Sequence, residues 1–298
     1  MQNETSGVPI LVIAFNRPKI FELCLHEISK IKPKKLFIAI DGPRKDVESD
    51  LVNISSCKSL IKLIDWDCEI KTYFSNENMG AGLWPIMAIN FAFENVYNLI
   101  IIEDDVIIKS NFYDLVNKSL IDFSKDERAF AICASNLSNL RNLGKNKPLY
   151  KSKYFSGWGW ATTKKKWSEY QFEPTFIPLR KVITENEFNI PVGLYFWVNF
   201  MLIKYKKLAA WDYQVNNLIF EKKYYVYKTF ENMAINIGVG SDATHTKKLP
   251  KMVFGNHADS EEYSPPEAVI NYLNDKQWRR DLVILLGQLI RLKFKKNV

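Results

Sequence analysis

Residues 98–108 read NLIIIEDDVII, so four aliphatic side chains, Leu99 to Ile102, run straight into Glu103, Asp104 and Asp105. An uninterrupted apolar run of that length is the pattern of a strand buried on both faces. Adjacent acids at its end call for a counter-charge, because a carboxylate withdrawn from water without a partner costs roughly several kcal/mol. A hard divalent cation with oxygen ligands is an economical partner. At the carboxyl end of a parallel strand such a cation is placed to hold a phosphorylated ligand, since open α/β sheets bind ligands along that edge. The same acids also read as a solvated turn before a helix opening near Ser110, and both readings stand at this stage.

On the N-terminal side, short apolar runs alternate with helical patterns. Ile10 to Phe15 reads as a strand, and Pro18 suits the first turn of a helix to about Ile31 with Phe21, Leu25 and Ile28 on one face. Leu36 to Ile40 is a second strand, a helix follows near Val47 to Ile64, and Ile70 to Phe74 is a third strand. Gly80 to Val96 is helical ahead of the acidic stretch. This alternation predicts a parallel, doubly wound sheet. Beyond it the rhythm breaks. Ala129 to Ala134, Tyr154 to Ser156 and Tyr224 to Lys228 read as strands, and Tyr195 to Tyr205 as a buried helix, with aromatic loops between. One mixed α/β domain over residues 1–260 is the simplest organisation, followed by a basic, amphipathic tail over 261–298 in which Tyr263-Ser264-Pro265-Pro266 marks a joint before a helical pattern.

The chain has 298 residues, 47% of them hydrophobic and 25% charged, with a net charge of +8. That composition supports a folded core and favours anionic partners. The basic residues form no nucleic-acid recognition motif, so no nucleic acid is expected as a partner. Cys24, Cys57, Cys68 and Cys133 have no C-x-x-C spacing and read as reduced core thiols. The polar N-terminus lacks signal-peptide order and no apolar run reaches spanning length, so a cytoplasmic protein is expected. In the tail, Leu282 to Ile290 lies between Arg279, Arg280 and a second set, Arg291, Lys293, Lys295 and Lys296. This suits a helix lying in an anionic interface at the inner face of the membrane, or one packed on protein.

Three loops follow the early strands. Asn16-Arg17-Pro18 carries a guanidinium able to neutralise phosphate or stack on a base, and Asp41-Gly42 offers a lone acceptor for a base or ribose. Asn76 to Gly82 is a glycine-bearing turn, with Gly80 opening a helix. Each is also an ordinary turn composition. Neither a G-x-G-x-x-G nor a P-loop is present, which argues against a dehydrogenase and a P-loop kinase. Further along, Ser156-Gly157-Trp158-Gly159-Trp160-Ala161 sets small residues between two tryptophans. They suit a backbone approach to a ligand with ring faces on a sugar, or else ordinary core. Trp211-Asp212-Tyr213-Gln214 holds one acid among apolar groups, readable as a general base or as a helix N-cap. Asn236-Ile237-Gly238-Val239-Gly240-Ser241-Asp242-Ala243-Thr244-His245-Thr246 is a glycine-rich loop whose His245 could contact a diphosphate or a metal.

The ordered set from Asn16-Arg17 through Asp41-Gly42, Glu103-Asp104-Asp105, Gly157-Trp158-Gly159-Trp160 and Trp211-Asp212 to His245 resembles bacterial GT-A type nucleotide-diphospho-sugar glycosyltransferases. It is more distantly similar to the N-acetylglucosaminyltransferase I family. The likeness covers roughly residues 8–247 and implies a Rossmann-like mixed sheet flanked by helices. It implies Mn²⁺ or Mg²⁺ on Asp105 with His245 nearby, Asp104 at the ribose, Glu103 at the donor sugar and Asp41 near the base. Asn16, Arg17, Gly80, Gly157, Trp158, Gly159 and Trp160 would line the donor, and Asp212 would be the base for an acceptor hydroxyl. The implied partners are a nucleotide-sugar donor, a UDP-sugar by resemblance, and a glycan or lipid-linked acceptor in surface polysaccharide synthesis. Two alternatives remain open here. One is a sugar-phosphate nucleotidyltransferase, for which the loop after the first strand is a poor match. The other is a non-catalytic membrane-associated or carbohydrate-binding protein.

Overall fold

A computed structural model describes residues 7–136, 148–173, 176–186, 190–205 and 211–238. His245 and the tail over 261–298 lie outside the described residues.

The first half folds as the alternating pattern requires. β1 (Ile10–Ala14), β2 (Lys35–Ile40), β3 (Glu69–Phe74) and β4 (Asn98–Glu103) pair in parallel in the order β3-β2-β1-β4. Every residue of β1 is buried. Its side chains alternate, Leu11 and Ile13 entering one core and Ile10, Val12 and Ala14 the other. One face of the sheet is covered by α1 (Pro18–Ile31), α2 (Glu48–Leu60) and α4 (Ser110–Lys125), through residues such as Phe21, Leu25, Ile54 and Phe112. The other is covered by α3 (Gly80–Asn95), α7 (Ile190–Lys204) and α8 (Trp211–Lys222), through Ile89, Phe93, Phe200 and Ile219. Between them come the short β5 (Val106–Ile108), α5 (Lys164–Trp167) and α6 (Leu179–Asn186).

Beyond β4 the sheet changes sense. β8 (Trp160–Thr163) runs antiparallel between β4 and β6 (Ala129–Cys133). β9 (Tyr225–Thr229) then pairs parallel with β6, and β7 (Leu149–Ser152) closes the edge antiparallel to β9. The eight-stranded sheet is therefore mixed. β10 (Ala234–Asn236) pairs with β5 in a separate two-stranded ribbon, Asn236 opposite Val106.

Two expectations need correction. Tyr154 to Ser156 is irregular, and the flanking segments Leu149–Ser152 and Trp160–Thr163 are the strands. The reason is local: the Phe155 backbone N–H is satisfied at 3.1 Å by the Asn216 side chain of α8, so it needs no strand partner. Cys68 is half-buried, whereas Cys24, Cys57 and Cys133 are buried thiols as expected. Among the described residues no helix is long and apolar enough to cross a membrane.

Candidate active site

The three acids stand where β4 ends beside β1, held there by the Asp104 N–H to the Ile13 carbonyl at 2.8 Å. Arg17 precedes Pro18 at the mouth of α1 and makes no side-chain cap, which leaves its guanidinium to reach across. It meets the Asp105 carboxylate at 3.0 Å and also pairs with Asp104. The counter-charge that the buried acids call for is thus supplied in part by the chain itself, a partner the sequence reading did not assign. Arg17 does not neutralise everything. Asp104 Oδ2 and Asp105 Oδ1 are buried and accept no hydrogen bond. Loss of hydration raises the Asp104 carboxyl to about 6 against the opposing pull of Arg17. Glu103 is raised further, first by lost hydration and then by the charge of Asp105, with Asp212 and Asp104 adding to it.

Two unpartnered, buried carboxylate oxygens from consecutive residues are a donor set that a hard divalent cation fits. Among the described residues there is no group of three or more His, Cys, Asp or Glu side chains arranged around such an ion. The remaining ligands would have to come from elsewhere, and a diphosphate supplies oxygens of the right kind.

Glu103 accepts the indole N–H of Trp211 at 3.2 Å. Trp211 opens α8 and stacks on Trp160 with ring centroids 5.8 Å apart, and its ring edge lies where a Cβ on Gly157 would be 3.2 Å away. Asp212 follows in the first turn of that helix, inside it rather than capping it, at the end of the helix dipole that favours a carboxylate. It is close enough to add its charge to those that act on Glu103, and it acts in the same way on Tyr170, Tyr195 and Tyr213. Tyr195 and Tyr213 join hydroxyl to hydroxyl at 2.6 Å.

Asn236, Ile237 and Gly238 lie over Asp105. The Ile237 N–H donates to the Asp105 carbonyl at 2.7 Å, and a Cβ on Gly238 would fall 2.1 Å from Asp105 Oδ2. Only glycine permits that approach. The pairing of β10 with β5 brings this segment there, a long-range contact that the sequence pattern does not announce.

The other expected residues divide. Asp41 is buried and saturated: Oδ1 accepts the N–H groups of Gly42 and Met79 at 2.8 and 2.9 Å, and Oδ2 accepts Gly80 N–H at 2.9 Å and the Asn78 amide at 3.0 Å. Burial raises its pKa against those backbone donors. It clasps the loop after β2 to the loop after β3, where Gly80 takes a positive φ of 77°. Asn16 donates its amide to Asp50 at 2.6 Å. Trp160 is 0% exposed and belongs to the aromatic core with Phe155, Trp167 and Trp211, so its ring face is covered by protein. Trp158 is half-buried against the core on the opposite face of the sheet. Gly159 has a φ of 68° and passes within 2.6 Å of Ile108, measured from an added Cβ. The glycines therefore serve close packing around Trp211 and Ile108.

Comparison with solved structures finds a mannosyltransferase, PcManGT from Pyrobaculum calidifontis in complex with GDP-Man and Mn²⁺, at 14% identity and TM-score 0.38 over 56% of this chain and 48% of that one. This chain thus spans about half the length of that protein. HddC from Yersinia pseudotuberculosis is similar at 13% identity and TM-score 0.34, over 53% of this chain and 77% of that one. An apo UDP-glucose pyrophosphorylase is similar at 10% identity and TM-score 0.39, over 78% and 93%. No curated protein matches. The sequence profile of the GNT-I family matches residues 1–177, more than half of the 298, and the chain belongs to the GNT-I family.

Proposed function

We propose that this chain is a metal-dependent, inverting glycosyltransferase. It moves a sugar from a nucleotide-diphosphate donor, a UDP-sugar, to a glycan or lipid-linked acceptor in surface polysaccharide synthesis. The observation that carries the reading is the pair of buried, unpartnered oxygens on Asp104 and Asp105 at the carboxyl end of a buried parallel strand. Asp105 would hold the divalent cation, with His245 as the second candidate ligand. A bound Mn²⁺ or Mg²⁺ supplies charge stabilisation to the departing diphosphate.

The chain's own residues do the rest. Arg17 holds both aspartates in fixed orientation and offsets their mutual repulsion. Glu103 is oriented by the Trp211 indole N–H and would face the donor sugar. Asp212, next along α8, takes the proton of the acceptor hydroxyl as that oxygen attacks the anomeric carbon from the side opposite the diphosphate. One carboxylate base suffices, because the leaving group needs no protonation, and a single displacement inverts the anomeric centre.

Hydrolysis and transfer assays on a panel of UDP-, GDP-, CMP- and dTDP-sugars test this. Turnover that needs a divalent cation and disappears in Asp105→Ala and Asp212→Ala supports the reading. Release of pyrophosphate from a nucleoside triphosphate and a sugar phosphate would replace it with nucleotidyl transfer.

A further inference from the structure

Beside the acid cluster lies a second arrangement that the proposed chemistry does not use. Asp50, the third residue of α2, is 0% exposed, yet it carries a charge. Its two oxygens are fully occupied. Arg44 grips them in a fork, Nε to Oδ2 at 2.8 Å and Nη2 to Oδ1 at 2.9 Å, and the Arg44 backbone N–H adds 3.0 Å to Oδ2. Asn16 completes the set at Oδ1. The two-point geometry fixes both the position and the plane of the guanidinium.

That plane is not hidden. The Arg44 side chain is 52% exposed, and on its inner side it lies over the Phe15 ring, 5.4 Å from the centroid. Phe15 follows β1 directly and stands two residues before Arg17, so this shelf and the acid cluster share one loop. A buried carboxylate thus holds a flat, cationic, half-exposed surface at the carboxyl edge of the parallel strands, where open α/β sheets bind ligands.

Asp41 is saturated by four donors from its own loops, and one Asn16 amide N–H is spent on Asp50. The broad exposed surface at this edge is the Arg44 plane. We infer that the Arg44 guanidinium, backed by Phe15 and fixed by Asp50, is the stacking shelf for the base of the donor nucleotide. The inference rests on the proposed nucleotide-sugar chemistry and gives it a base-binding residue. Arg44 recognises the aromatic plane, which every nucleobase has, while the diphosphate end is left to the acid cluster.

The test is titration calorimetry on the full-length protein with Mn²⁺ present, using UDP and inorganic pyrophosphate as separate ligands. Arg44→Ala should weaken UDP about tenfold or more, the loss expected for one stacked base. Pyrophosphate affinity should stay unchanged. Because Arg44→Ala also strands the buried Asp50, Arg44→Lys is the companion variant. It keeps a counter-charge for folding but has no plane, and it should lose UDP affinity as well. UDP affinity preserved in either variant, or UDP and pyrophosphate weakened equally, overturns the shelf while leaving the donor site intact. Failure of the unmodified protein to bind either ligand overturns both.

Discussion

The Trp211 indole donates to Glu103 at 3.2 Å, and this hydrogen bond ties the first turn of α8 to the end of β4. Trp211 also stacks on Trp160 and fills the space that Gly157 leaves open. Asp212 is the next residue. The side chain that joins the helix to the acids therefore also fixes where Asp212 stands.

Replacing Trp211 by Phe keeps an aromatic ring in the stack but removes the donor together with the indole atoms that lie against Gly157. Turnover should fall about tenfold with UDP affinity changed less than about twofold, and stability should drop by roughly 2–3 kcal/mol, one hydrogen bond plus the cavity left beside Gly157. Steady-state kinetics alongside UDP calorimetry separates the two effects. Unchanged turnover would show that the Trp211–Glu103 bond has no part in catalysis.

Arg17 provides the internal counter-charge for Asp104 and Asp105. Arg17→Ala should destabilise the protein by roughly 2–3 kcal/mol, less than a fully buried pair would cost because the arginine is partly exposed. Thermal melts should show the deficit shrinking when Mn²⁺ is added, since a bound cation replaces the lost charge. A deficit of the same size with and without Mn²⁺ would mean that no cation enters between these carboxylates.

Gly238→Ala puts a methyl group 2.1 Å from the present position of Asp105 Oδ2. Either Asp105 or the segment over it must move. The far-UV circular dichroism spectrum should be unchanged, and Mn²⁺–UDP affinity should fall about tenfold or more. Retained affinity would place the ligand away from this segment.

Much of this was open to inspection in the amino-acid order. Pro18 with Phe21, Leu25 and Ile28 fits a helix, and the helix is Pro18–Ile31. The aliphatic runs at 10–14, 36–40 and 99–102 fit buried parallel strands and form them, because a short uninterrupted apolar run suits a strand covered on both faces. What stayed hidden depends on reach in three dimensions. Nothing in the spacing of Arg17 and Asp104 says that they touch. Asp41 looked available because an Asp-Gly pair does not reveal that Met79 and Gly80 will spend its oxygens. Trp160 lies in a small-residue loop that suits a ligand face equally well, and the sheet decides for the core by inserting β8 between β4 and β6. The Arg44–Asp50 fork carried no motif at all.

That fork gives stability a pH dependence. Arg44, with the hydrogen bonds from its own N–H and from Asn16, holds Asp50 down to about 2 against the opposing effect of burial. A carboxyl depressed in the folded state stabilises above its unfolded value near 4, and the contribution is lost as pH falls through about 2. With Arg44 half-exposed, the discounted contribution is about 1 kcal/mol. Urea unfolding of the parent and Asp50→Asn should therefore differ at pH 6 and converge towards pH 2. A gap that is constant with pH would mean that the ionised form of Asp50 contributes nothing.

The proposed function requires the carboxylates ending β4 to bind a divalent cation together with a diphosphate. UDP titration calorimetry on the full-length protein, with Mn²⁺ or with chelator, and repeated on Asp105→Asn, addresses it directly. UDP should bind only with Mn²⁺, and not at all to Asp105→Asn at an unchanged fold. UDP binding that is equal in chelator, or undiminished in Asp105→Asn, would contradict it.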